Sequence, residues 1–256
     1  MSHRRRRFAM FYALTALGAL GPGCSQSTPA AEPKDAPPVA AKGEPVLVEL
    51  FTSQGCSSCP PADALAEKLA ADRGLVVIAR PVTYWDRLGW KDTLAREENT
   101  TLQRDYARRG LAGQNEVYTP QMVVDGAYGA VGSRAADVAS GVKRYGAKSD
   151  ATIRVAPAEA GGYSVNLGGT AAGKAELVLI AVTRKVAVAI GTGENGGRRV
   201  TYTNVVRAER KLGEWSGGKG GIALAASQLK VAGADRYAIV LRQPGGGKVL
   251  AARWIG

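Results

Sequence analysis

One histidine occurs in 256 residues, and it is His3. The stretch around it reads as a cleaved export signal, so the mature chain is expected to carry no imidazole. That excludes a Ser-His-Asp triad, a Cys-His protease pair, a His-ligated zinc or copper site and histidine acid–base work. Cysteine is almost as scarce, with three residues. A zinc site needs four ligands, and beyond one Cys pair the mature fold would have neither Cys nor His to complete it. Long apolar runs are missing too. The longest N-terminal one, Phe8 to Leu20, falls short of the roughly 20 residues that span a bilayer. Chemistry is left to thiols, carboxylates, Lys, Tyr and backbone amides. Hydrophobic residues make up 45% of the chain, enough for a core, and 33 glycines point to many turns and a β-rich part.

Arg4 to Arg7 followed by that short apolar run form a bacterial signal peptide pattern over residues 1–23. Cys24 comes next and resembles the acylation site of bacterial lipoproteins, although Gly21 stands where such sites usually have Leu. Residues 24–45 are Ala- and Pro-rich without apolar periodicity, as a tether would be. The expected location is the periplasm or the outer membrane, with a membrane tether through Cys24 if it is acylated. Removing residues 1–23 takes away four Arg and no acid, which leaves 30 basic against 22 acidic residues and a net charge of +8. Export, and the lack of a basic cluster interleaved with stacking aromatics, argue against nucleic acid as a partner.

The remainder divides by pattern. Residues 46–148 alternate strands and helices. Val46 to Thr52 and Leu75 to Ala79 read as buried strands, Ala62 to Ala71 and Asp92 to Arg109 as helices. Gln121 to Val124 and Tyr128 to Val131 flank Asp125-Gly126, a hairpin-turn dipeptide, and Ser133 is placed to cap a last helix ending at Tyr145. Residues 149–256 show short β runs separated by glycine clusters. Among these runs are Leu177–Val182, Val186–Ile190 and Val200–Val206, and they suggest a β-sandwich-like domain.

Cys56-Ser57-Ser58-Cys59 lies between the first strand and the first helix. At this spacing two Cys either close a small ring or present one reactive thiol backed by a second. A helix N-terminus favours the thiolate, the nucleophile in disulfide exchange. Cys56 is expected to be the more exposed attacker and Cys59 the resolver. Pro60-Pro61 should delay the regular helix to about Pro61. Strand, CxxC, helix, strand, helix, then Thr119-Pro120 before a hairpin and a helix resembles the thioredoxin superfamily. In that topology the bond before Pro120 is cis and lies against the Cys pair. The resemblance also implies that a buried carboxylate on the first strand, here Glu49, moves the resolving thiol's proton; the alternative is a Glu paired with Lys or Arg. The strings Val48 to Asp63, Tyr84-Trp85-Asp86 with Gly89 to Asp92, and Val117 to Val124 resemble a family of secreted bacterial proteins, the domain of unknown function 1223, assigned a thioredoxin-like fold. The likeness continues into Asn204-Val205-Val206-Arg207. Where that family usually has a His and an Asp before the Tyr-Trp-Asp string, this chain has Pro81 and Thr83.

The expected fold class is therefore an α/β thioredoxin-like N-terminal domain followed by the β-rich domain. The leading functional expectation is an envelope thiol–disulfide oxidoreductase acting on protein thiols or disulfides through Cys56, Cys59, Thr119, Pro120 and Glu49, with no cofactor. It requires sulfurs that an incoming polypeptide can reach. A non-enzymatic binding or assembly module with a permanent Cys56–Cys59 bond is the alternative. Cu(I) carriage on soft thiolates is a third reading. Tyr84, Trp85 and Trp90 are read as packing aromatics, with a roof over the Cys pair as their functional alternative.

Overall fold

The computed structural model describes residues 44–255. The export signal, Cys24 and most of the tether lie outside the described residues.

β1 (Val46–Thr52) is buried along its whole length, as its apolar run requires. α1 (Pro60–Leu69) crosses to β2 (Leu75–Pro81), which pairs parallel with β1 from Val46↔Leu75 to Thr52↔Pro81. α2 (Glu97–Arg109) follows, then the two-residue β3 (Ala112–Gly113), β4 (Gln121–Val124), β5 (Tyr128–Val131) and α3 (Ala135–Tyr145). Asp125 and Gly126 both have positive φ, 44° and 61°, which is the turn geometry that Asp-Gly favours. The C-terminal half contributes β6 (Thr152–Pro157), β7 (Tyr163–Gly168), β8 (Ala175–Ala189), β9 (Arg199–Trp215), β10 (Gly220–Leu224), β11 (Arg236–Arg242) and β12 (Val249–Ile255).

These strands correct the expected fold class. The described residues are mostly β, with three α-helices, and they do not form an α/β thioredoxin-like domain followed by a separate sandwich. Nine strands make one mixed sheet in the order β12-β11-β8-β9-β2-β1-β4-β5-β3, and β10-β7-β6 make a second. The physical reason lies in β8 and β9. The expected runs Leu177–Val182 and Val186–Ile190 fall along one 15-residue strand that ends at Ala189, with Arg184 and Lys185 between them exposed. The polar stretch Arg207 to Lys211 lacks strand alternation, yet it continues β9 to 17 residues through its backbone pairing with β8. β9 then meets the open edge of β2 at Ala79↔Val205. Beside that pair Asn204 takes a left-handed φ of 49° and donates from Nδ2 to the Val77 carbonyl at 2.8 Å. A side chain thus supplies a bond that a regular ladder would have made.

Helices cover the two faces of β1 in different company. Val48 and Leu50 pack with Ala62, Ala66 and Leu69 of α1 and with Val138 and Val142 of α3. Phe51 points the other way, to Leu102 and Tyr106 of α2. The starts of α2 and α3 differ from expectation. α2 begins at Glu97 rather than Asp92 because Asp92 spends its carboxylate on loop backbone. Arg134, not Ser133, is the N-cap of α3, and it makes no side-chain cap bond.

Glu49 also lies on the α2 side of β1. Its Oε1 accepts from Arg80 Nε at 2.5 Å, and its Oε2 accepts from Tyr106 Oη at 2.5 Å. Arg80 donates further to Glu209 at 2.9 Å and to Asn99 Oδ1 at 3.3 Å, and Glu209 pairs with Arg242. Arg80 is only 2% exposed. Both carboxylates raise the Arg80 pKa against the opposing effect of burial. Removing one member of such a buried pair strands the other, which costs about 3–5 kcal/mol. Arg80→Met is expected to lose that much in urea unfolding. Adding Glu49→Leu to it should recover part of the loss; a double variant less stable than the sum of the two singles would contradict pairing as the cause.

Candidate active site around the buried disulfide

After Thr52 the chain turns tightly. Ser53 carbonyl accepts from Cys56 N at 3.2 Å, Ser53 Oγ accepts from Gly55 N at 3.1 Å, and Cys56 carbonyl accepts from Cys59 N at 3.1 Å. These turns bring the two Cα atoms to 5.4 Å, and Cys56 and Cys59 are joined as a disulfide. Cys59 is the N-cap of α1 and has helical angles although a proline follows it. The helix starts at Pro60, one residue earlier than expected, since Pro at N1 forfeits no hydrogen bond. The exposure of the pair is a correction. Ser57 and Ser58 are exposed, but Cys56 and Cys59 are each 0% exposed, so Cys56 is not the accessible member.

Several expected neighbours do converge here. The Thr119–Pro120 peptide is cis. A Cβ built on Gly132 would lie 3.1 Å from Pro120 Cβ and 3.2 Å from Ala62 Cβ, which places the proline beside the first turn of α1. Thr119 Oγ1 accepts from Trp85 Nε1 at 2.8 Å, and Trp85 Cβ packs beside Gly55, where an added methyl would sit 3.2 Å away. Trp90 Nε1 donates to Gln54 Oε1 at 2.8 Å. Both indoles are half-buried; Trp90 holds the Cys segment by its bond to Gln54, and Trp85 packs on Gly55 while its indole N–H reaches Thr119. Glu49 does not join this group. It is on the opposite face of β1 from α1 and is committed to Arg80 and Tyr106.

Three residues that sequence reasoning passed over or left open complete the site. Asp92 accepts from Gln54 N and Leu94 N, both at 2.8 Å, and so ties its loop to the segment before Cys56. Asn195, in the turn between β8 and β9, donates from Nδ2 to the carbonyls of Gln54 at 2.9 Å and Cys56 at 2.8 Å. Its neighbour Glu194 accepts from Ser57 N at 3.1 Å. No sequence signal marks Asn195, because the contact joins residues 139 apart. Asp63 is the third. It is 3% exposed, and neither carboxyl oxygen has a partner in full hydrogen-bond geometry, the nearby Thr52 hydroxyl, itself unpartnered, being the one group placed to approach it. Burial raises its pKa well above 3.8, Thr52 opposes this, and the nearby carboxyl of Asp92 adds to it. Tyr202 of β9 is raised as well, by burial and then by Asp63 and Asp92. One signal was legible: Asp63 follows Cys59 by four residues, the spacing that returns to the same helix face.

The native state therefore keeps a proton on Asp63 that the unfolded chain releases above about pH 4. Its contribution to stability is fully present below that pH and declines as pH rises toward the native value. Asp63→Asn is expected to be more stable than the wild type by about 1–3 kcal/mol at neutral pH, with the gap closing toward acid. Urea unfolding at a series of pH values reads this directly; a gap independent of pH assigns the effect elsewhere.

A crystal structure of the Agrobacterium tumefaciens protein AGR_C_4864, from a structural genomics programme, is 30% identical with a TM-score of 0.70, over 84% of this chain and 96% of that one. HBP35 of Porphyromonas gingivalis superposes with a TM-score of 0.51 at 12% identity, over 84% of this chain and 76% of that one, a likeness of fold alone. No curated protein matches. The model of the family described as protein of unknown function (DUF1223) matches residues 47–242, a span that includes the Cys pair, the cis proline, Asp63 and Asn195, and the chain belongs to that family.

Proposed function

We propose that the chain is a latent thiol–disulfide exchange protein of the cell envelope, with Cys56–Cys59 as its redox centre. The observation that carries this reading is the kind of element lying across the Cys segment. It is a glycine-rich turn, residues 190–198, that holds the segment by hydrogen bonds to its backbone. Gly191, Gly193, Gly196 and Gly197 fall within it, and in it only Ile190 and Asn195 are buried. Thr192 adds a bond to the Gly89 carbonyl at 3.2 Å. Such a segment opens at a small fraction of the global unfolding cost. Departure of this turn would uncover Cys56 for a thiolate from a protein substrate. The position of the pair, at the head of α1 near Thr119–Pro120, also supports the reading, as does the oxidising compartment that the signal pattern of residues 1–23 leads one to expect.

A second reading, the permanent staple in a binding or assembly module, is supported by the complete burial of both sulfurs. The same measurement separates the two. Dithiothreitol is added to the folded protein, and free thiols are counted by alkylation and mass shift while circular dichroism follows the fold. Reduction without unfolding supports exchange. A bond that resists until the protein unfolds, with a potential below about −300 mV and no mixed disulfide in a Cys59→Ser trap, makes it a staple. Asn195→Ala, which removes the two side-chain hydrogen bonds to the Cys segment and the one accepted from Arg198 within the turn, is expected to speed native-state reduction about tenfold; an unchanged rate would separate the turn from access.

A further inference from the structure

The carboxyl of Asp63 has no structural employment. Neither oxygen meets a partner in full hydrogen-bond geometry, although Thr52 lies close enough to favour the carboxylate; its burial weakens the fold, and a permanent staple would be served better by an apolar residue there. We propose that Asp63 is the proton partner of the Cys59 sulfur. This rests on the exchange reading given above and assigns the proton step within it.

The first turn of α1 shows why Cys59 needs such a partner. A sulfur at a helix N-terminus ordinarily leaves as a thiolate because free backbone N–H groups meet it. Here Pro60 and Pro61 have no N–H to offer. The next two, of Ala62 and Asp63, are spent on the Cys59 carbonyl at 2.8 and 3.1 Å. Cys59 is fully buried, which further disfavours its charged form. The departing sulfur must therefore take up a proton. Asp63 stands one turn along on the same face and stores one. The groups that act on its carboxyl are Thr52 of β1 and Asp92 of the following loop, and Asp63 in turn acts on Tyr202 of β9. None of these is a cation that would draw the proton away.

With a dithiol as reductant the step balances. One dithiol sulfur, as thiolate, attacks Cys56 Sγ. The Cys56–Cys59 bond breaks, its electron pair stays on Cys59 Sγ, and that sulfur takes the Asp63 proton. The second dithiol sulfur, deprotonated, then displaces Cys56, giving an oxidised dithiol. The two protons lost by the dithiol are returned to Asp63 and Cys56 through solvent. In the oxidising direction the carboxylate of Asp63 receives the Cys59 proton.

The test uses the mature chain and dithiothreitol, with rates normalised to the reductant's thiolate across pH. Wild-type reduction is expected to fall as Asp63 ionises, and Asp63→Asn to be at least tenfold slower with that inflection gone. Asp63→Glu should restore part of the rate and the inflection. Equal rates, or a slower variant that keeps the wild-type pH profile, overturn the proposal, because a merely structural side chain does not move the profile. Carbon-13 NMR of the Asp63 carboxyl in the wild type supplies a measurement that needs no variant. Its proton affinity should differ about tenfold between the oxidised and reduced proteins; identical titrations overturn the proposal even if Asp63→Asn fails to fold. Wild-type protein that dithiothreitol cannot reduce while folded brings down the exchange reading itself, a result distinct from an unaltered pH profile.

Discussion

The guanidinium of Arg80 is the interaction on which the sheet depends. It reaches Glu49 on β1, Asn99 on α2 and Glu209 on β9, and Arg242 of β11 closes the set through Glu209. A planar guanidinium spreads five donors over three nitrogens and so reaches three separated partners, whereas the donors of a lysine all radiate from one nitrogen. Desolvating these charges is expensive, and their mutual attraction repays it only in good geometry. What the arrangement supplies is specificity, since the strands and helix can be placed together in few ways that leave no charge stranded. Strands from two halves of different sequence texture share the nine-stranded sheet through this cluster and the Ala79↔Val205 contact.

The disulfide end of β1 follows the opposite logic. On the α2 side every buried charge has a partner. On the α1 side a carboxyl is left without one, close to another carboxyl and to a tyrosine whose ionisation they resist. Folded proteins seldom leave such groups, and where they do the group usually has work beyond holding the fold. The two faces of a single strand thus separate structural from chemical carboxylates, Glu49 on one and Asp63 beneath the other.

Local signals were legible and distant ones were not. The apolar run Val46 to Thr52 and the Asp125-Gly126 turn with its flanking strands could be read because their causes lie within a few residues. The spacing of Cys56 and Cys59 and the Thr119-Pro120 step marked the site for the same reason. The span of β8 and β9 could not be read, since Arg184-Lys185 and Arg207 to Lys211 are strand only by pairing with each other's neighbourhood. The burial of Cys56 was hidden likewise: the turn bearing Asn195 arrives from 139 residues away. Glu49 was visible as an anomaly in an apolar strand, but which of two faces it served depended on Arg80 and Tyr106, neither adjacent in sequence.

The seam between β2 and β9 also bears on how the chain can be handled. β2 is a run of Leu75, Val76, Val77, Ile78 and Ala79 that is buried from end to end. Were the chain stopped at residue 148, that strand would become a bare apolar border, and Arg80 would lose Glu209. Borders of this kind recruit other chains. By lying along this border, β9 shields the apolar strand from other chains.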